Sequence, residues 1–144
     1  MVRTGGCYCQ AIRYELEDDS AHDFSVCYCE GCKYASSSHS MNLRTDTDKI
    51  KVTKGTPKVF LDTKTLSGKP MKRKFCGDCG NSLWSEPSAA PGKAFVKVGT
   101  LDDKSGLKLL VEVFCSNALR PYEPMPKGTT PQLTFAAGSA PFEA

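Results

Sequence analysis

Apolar and polar positions alternate with a period of two along most of the chain. Ile12-Arg13-Tyr14-Glu15-Leu16 sets three apolar side chains against two charged ones, and Ile50-Lys51-Val52, Phe95-Val96-Lys97-Val98 and the run Leu109 through Phe114 repeat the pattern. Successive side chains of a strand project to opposite faces, so this period predicts strands rather than helices. Lys54-Gly55-Thr56-Pro57 and Ser67-Gly68-Lys69-Pro70 supply turn residues between the runs, at the spacing of an all-β domain. Only Glu30 to Ser38 suits a short helical turn. The expectation is a mostly β single domain built of small twisted antiparallel sheets. The folded unit is expected over residues 1–122, followed by an irregular arm over 123–144, where Pro, Gly, Ala and Thr accumulate.

With 144 residues the chain suits one core that buries roughly two-thirds of the unfolded surface. The 12 glycines and 9 prolines cut the apolar runs short, so further cross-links would help. The cysteines can supply them. Seven of eight fall in three clusters, Cys7-Tyr8-Cys9, Cys27-Tyr28-Cys29-Glu30-Gly31-Cys32 and Cys76-Gly77-Asp78-Cys79. Cysteines one or two residues apart make strained disulfides with each other, whereas the same spacings suit a metal. Two pairs provide the four thiolates of a closed tetrahedral zinc site, Cys7, Cys9, Cys76 and Cys79. Three remain for a second zinc, so the chain reads as two Zn²⁺ sites, one structural and one with an open position.

In a strand, residues i and i+2 lie on one face about 6.6 Å apart, so Cys7-x-Cys9 can aim two sulfurs at one ion. In Cys76-x-x-Cys79-Gly80, Gly77 and Gly80 allow a tight path whose N–H groups reach the thiolates. Structural zinc in finger peptides contributes roughly 10–16 kcal/mol, enough to decide whether a small domain folds. Cys27, Cys29 and Cys32 surround an ion from one side only. The fourth position is left to water, to a substrate thiol, or to a side chain such as His39 or Cys115. Three thiolates on Zn²⁺ carry a net charge of −1, which weakens the metal as a Lewis acid toward water and suits a soft incoming thiol. Thiol chemistry is thus favoured over hydrolysis.

Other residues have plainer readings. His39 is read as a strand residue facing solvent or a pocket wall, with a ligand or proton-shuttle role as the alternative. His22 is read as surface. Cys115, in phase with Val113 and Val111, is expected in the core, and Trp84 is expected to pack rather than to stack on a ligand. Free thiols, no room for a leader before the first cluster and no apolar run of about 20 residues lead to the expectation of a reducing compartment, the cytoplasm with the nucleus left open.

Formal net charge is +3, but nine basic residues against Asp62 alone give the segment from Lys49 to Lys74 a charge of +8. Such a face attracts a carboxylate-bearing peptide or a nucleic-acid backbone, or is simply a solvated sheet edge. A zinc-stabilised binding module for nucleic acid or an acidic protein is therefore the competing reading, with nucleic acid the weaker partner.

Four ordered motifs carry a family resemblance. Gly5-Gly6-Cys7-Tyr8-Cys9-Gln10-Ala11-Ile12-Arg13-Tyr14, Cys27-Tyr28-Cys29-Glu30-Gly31-Cys32-Lys33, Phe75-Cys76-Gly77-Asp78-Cys79-Gly80-Asn81-Ser82-Leu83-Trp84 and Val98-Gly99-Thr100-Leu101-Asp102-Asp103 resemble the glutathione-dependent formaldehyde-activating enzyme family, whose domain centromere protein V shares. The resemblance spans about residues 4 to 115. It implies a zinc-bearing, tent-like assembly of small β-sheets, with a structural zinc on Cys7, Cys9, Cys76 and Cys79 and an active zinc on Cys27, Cys29 and Cys32. The implied reaction joins glutathione, as co-substrate, and formaldehyde reversibly as S-hydroxymethylglutathione, a carbon–sulfur lyase activity. Lys33 is a candidate for a glutathione carboxylate, and Ser37 and His39 for the pocket beside the triad. Tyr28, Glu30-Gly31, Ser37 and Arg120-Pro121-Tyr122 depart from the family's usual residues, so a different thiol or aldehyde is the neighbouring alternative.

Overall fold

A computed structural model describes residues 2–17 and 23–119. The expected arm over 123–144, the segment Arg120-Pro121-Tyr122 and His22 lie outside the described residues. Among the described residues ten strands are formed: β1 (Arg3–Gly6), β2 (Arg13–Leu16), β3 (Asp23–Cys27), β4 (Ser40–Asp46), β5 (Ile50–Lys54), β6 (Lys58–Asp62), β7 (Met71–Phe75), β8 (Ser82–Pro87), β9 (Lys93–Lys97) and β10 (Lys108–Val113). One helix, α1, covers Glu30–Ser36. The strands make a three-stranded sheet in the order β1-β2-β5 and a seven-stranded sheet in the order β10-β3-β4-β9-β8-β7-β6. The fold is mostly β, as expected.

The alternation of β2 explains the seam between the sheets. Tyr14 and Leu16 are buried with Ile12, while Arg13 and Glu15 face outward. Tyr14 meets Trp84 of β8 edge-on, with ring centroids 5.7 Å apart, so Trp84 is packing as expected. Cys7, Ile12, Tyr14, Cys76, Leu83, Trp84, Ala94, Val96 and Leu101 form the main core, and Leu16, Leu43 and Val98 a smaller one. The Tyr14 hydroxyl donates to Thr100 Oγ1 at 2.7 Å, and Thr100 donates in turn to the Lys97 carbonyl. Asp102, from the fourth sequence motif, accepts from Thr4 of β1 and pairs with Arg13 of β2, holding the two strands together at their rim.

Three local expectations are corrected. The pairing of β10 with β3 is parallel, although every other strand pair in both sheets is antiparallel. Cys115 is exposed rather than in the core, because Phe114 takes a left-handed conformation (φ 60°) and turns the chain into a 3-10 turn over Cys115–Asn117, which ends the strand's phase. The edge position of β10 also leaves Leu109, Leu110 and Val111 exposed. Cys7 and Cys9 lie in a turn after β1, not on a strand. Gln10, at φ 64°, closes that turn by donating through its own N–H to the Cys7 carbonyl.

Gly5 shows how tightly the sheets meet. A Cβ there would lie 2.5 Å from the Tyr14 hydroxyl and 2.7 Å from the Thr100 carbonyl, with the backbone unable to yield as a flexible side chain could. Gly5→Ala is therefore predicted to destabilise the domain by about 1–3 kcal/mol, read as a lower urea midpoint at unchanged slope.

Candidate metal centres

Two turns build the first centre. Cys7, after β1, is buried, with its sulfur accepting from the Ile12 N–H at 3.2 Å. Cys76, after β7, is also buried. Its N–H donates to the Asn81 carbonyl, and its carbonyl accepts from Gly80, whose φ of +72° supplies the sharp return expected of that glycine. Asn81 Oδ1 accepts from the Tyr8 N–H at 3.1 Å and locks one turn onto the other. The four sulfurs lie within 4.8 Å of one another, with Cys7 to Cys9 at 3.5 Å and Cys9 to Cys76 at 3.7 Å. Tetrahedral zinc with bonds of about 2.3 Å separates its sulfurs by about 3.8 Å, so the donor set fits such an ion.

The protonation of this cluster points the same way. The Ala11 N–H favours a charged Cys9. Sharing with Cys7, desolvation and the other two sulfurs outweigh it and push the Cys9 pKa up to about 12. Backbone N–H groups of Cys9 and Asn81 pull Cys79 down to about 6. Adjacent thiols cannot all ionise unless a cation offsets their repulsion.

The second centre lies where β3 runs into α1. Cys27 ends β3, Cys29 caps α1 and Cys32 sits in its first turn, so a strand end and one helical turn bring three sulfurs together. Cys27 and Cys32 are buried and Cys29 is half-buried. Among the described residues no further Cys, His, Asp or Glu joins this group, and neither His39 nor Cys115 belongs to it. The triad thus differs from the first centre in having three protein sulfurs rather than four. Its charge is unevenly held. Cys32 is driven far below the usual thiol range by the Cys27 and Cys29 thiols, against its burial and with help from Ser40 and Lys97, while Cys27 is pushed far up by the same sharing.

Two cations stand near this triad, and neither was singled out from the sequence. Lys97 ends β9 at 7% exposure, and its ammonium donates to Asn42 Oδ1 at 2.6 Å and to Ser40 Oγ at 3.2 Å. Ser40 Oγ donates to Cys32 Sγ at 2.9 Å. Burial lowers the Lys97 pKa, with Cys32 opposing. Arg73 of β7 pairs with Asp62 and approaches α1 so closely that a Cβ on Gly31 would lie 2.3 Å from its guanidinium. The usable signal was a lysine set among Phe95, Val96 and Val98, at the buried end of a strand.

A cleft of about 670 Å³ is lined by Cys79 and Tyr8, from the first centre, together with Ser36, His39, Ser40 and Lys97, from around the triad. The triad sulfurs are not in its wall; Ser40 links Cys32 to it by one hydrogen bond. His39 is a pocket wall, tilted against the Tyr28 ring at 5.6 Å, with Nδ1 in a hydrogen bond to Ser38. Lys33 and Ser37 do not line the cleft. Lys33 donates to the Asn117 carbonyl and pairs with Glu30, while Ser37, at φ 75°, terminates α1. Within the basic segment, Lys54 is held by the Gln10 carbonyl, Lys74 by Glu86 and Arg73 by Asp62, so part of its charge is spent internally.

The family model of the glutathione-dependent formaldehyde-activating enzymes matches residues 2–117. The fold is similar to a crystal structure of a Rhodobacter sphaeroides protein at 19% identity and a TM-score of 0.59, covering 76% of this chain and 98% of that one. Because the four-sulfur centre joins turns 67 residues apart and the triad only six consecutive positions, their loss should differ. Cys76→Ala is predicted to release one metal ion and to lower Tm steeply. Cys29→Ala should change Tm by only a few degrees, both read by calorimetry with metal analysis.

Proposed function

Because the chain belongs to the glutathione-dependent formaldehyde-activating enzyme family, we propose that it forms and cleaves the carbon–sulfur bond between a small thiol, glutathione or a close analogue, and a small aldehyde. The observation that carries this reading is the three-sulfur triad one hydrogen bond from a cleft lined in part by polar side chains. Cys7, Cys9, Cys76 and Cys79 would hold a structural zinc, and Cys27, Cys29 and Cys32 a catalytic one. Zinc held by three thiolates would lower the pKa of an entering thiol and so supply a sulfur nucleophile at neutral pH.

The chain's own residues account for the rest. In the forward direction a C–S bond forms, the carbonyl π pair moves to oxygen, and that oxygen takes a proton; the reverse breaks the C–S bond and returns the proton. The Lys97 ammonium in the cleft wall offers positive charge where negative charge grows on oxygen. His39, Ser36 and Asn81 give the same cleft donors and acceptors for the polar groups of a peptide thiol. Thiols add to formaldehyde readily in water, so the enzyme's contribution is capture and orientation of the two reactants. No described helix is long and apolar enough to cross a membrane, and the unpaired thiols suit a reducing compartment such as the cytoplasm.

Cys29→Ala is predicted to leave the circular dichroism unchanged and to lower the rate of S-hydroxymethyl-thiol formation by at least about 100-fold, the scale on which orientation contributes. Full retained activity in a folded variant would refute the mechanism. An activity screen across aldehydes, with glutathione held constant, then separates formaldehyde from a larger partner.

A further inference from the structure

Donor and acceptor counting around Ser40 gives a result that the triad alone does not. The Lys97 ammonium can only donate, so the atom 2.6 Å from it on Asn42 must be the carbonyl oxygen, which fixes the amide's orientation. The Asn42 Nδ2 group then has two hydrogens, and they go to the Ser40 carbonyl at 3.0 Å and to Ser40 Oγ at 2.9 Å. Ser40 Oγ receives a second hydrogen from Lys97 at 3.2 Å. Both of its lone pairs are thereby occupied, and a hydroxyl in that state can act outward only as a donor.

Its single hydrogen has two acceptors within reach, Cys32 Sγ at 2.9 Å and Asn42 Oδ1 at 3.1 Å. The amide oxygen already carries the ammonium, while the sulfur can carry negative charge. We infer that Lys97 and Asn42 form a positioning relay that commits the Ser40 hydroxyl hydrogen to Cys32, making one ligand of the triad a permanently hydrogen-bonded sulfur. All three side chains are buried, with Ser40 at 3%, Asn42 at 5% and Lys97 at 7% exposure, which strengthens these bonds relative to exposed ones.

The consequence is chemical asymmetry among the three sulfurs. A hydrogen bond draws electron density from a thiolate and weakens it as a donor, so Cys32 differs from half-buried Cys29 in what it gives to a bound ion. β4 supplies Ser40 and Asn42, β9 supplies Lys97 and α1 supplies Cys32, so three elements must be in register for the relay to exist. The relay rests on the triad being a metal site, as the proposed function holds.

The test uses the full-length protein and variants Ser40→Ala, Lys97→Met and the double variant. Zinc affinity of the weaker site is measured by competition with a chromophoric chelator, and the sulfur-to-metal charge-transfer band is recorded with Co²⁺. Ser40→Ala should weaken zinc about 10- to 100-fold, because the loss of the sulfur's fixed orientation outweighs its gain as a donor, and should move the band to longer wavelength, because the unbonded sulfur is more electron-rich. Lys97→Met should do the same to a smaller degree, and the double variant should be no worse than Ser40→Ala, since the lysine acts through the serine. Should Lys97→Met fail to fold, Lys97→Gln is read in its place. An unmoved band in Ser40→Ala, or a lysine effect as large in the Ser40→Ala background as in the parent, overturns the relay while leaving the metal site intact. A triad that binds neither ion overturns the proposed function with it.

Discussion

Four thiols drawn within 4.8 Å of one another, from turns 67 residues apart, determine how the two sheets of this molecule meet. One turn follows β1 of the small sheet; the other connects β7 and β8 of the large one. Cys7 and Cys76 are themselves part of the main core, against Ile12, Tyr14, Leu83 and Trp84. The sulfur cluster and the hydrophobic contact are therefore one structure, and neither can be displaced without the other. A chain this rich in Gly and Pro gains from such a restraint, because short strands bury little area apiece.

From that junction the chemistry follows by proximity. One cleft is lined both by Cys79 of the junction and by Ser40, the hydrogen-bond partner of the triad's Cys32. The strands that leave the main core, β4 and β9, are the ones that bring Ser40, Asn42 and Lys97 to Cys32. A buried ammonium is costly to desolvate, and it persists here because two hydrogen bonds and nearby thiol charge offset that cost. The arrangement suits anionic sulfur and would be a poor host for a positively charged group.

How much of this could be read from residues alone depended on whether the information was local. The two sulfur groups were legible because metal ligands recur at short fixed spacings, and the division into four and three holds in space. The strand at Arg13–Leu16 was legible because one of its faces is buried and the other is not. The lysines of the segment from Lys49 to Lys74 allowed a solvated sheet edge as one reading but gave no strand bounds; β6 is the outermost strand of the large sheet and β7 lies beside it. Cys115 was misplaced because alternation carries no signal for the left-handed turn at Phe114 that ends it. Lys97 escaped notice for a related reason: it shares a strand face with half-buried Lys93 and Phe95, so period two assigns it outward although it is buried.

The central claim is that this chain holds one closed sulfur site and one that accepts an external thiol. A native mass spectrum of the intact protein with added zinc and glutathione tests it most directly, by counting metal and adduct on the same ion. The account predicts two zinc ions per chain, with one glutathione bound only when both are present. One zinc and no glutathione would contradict it, leaving a cross-linked fold without the second site.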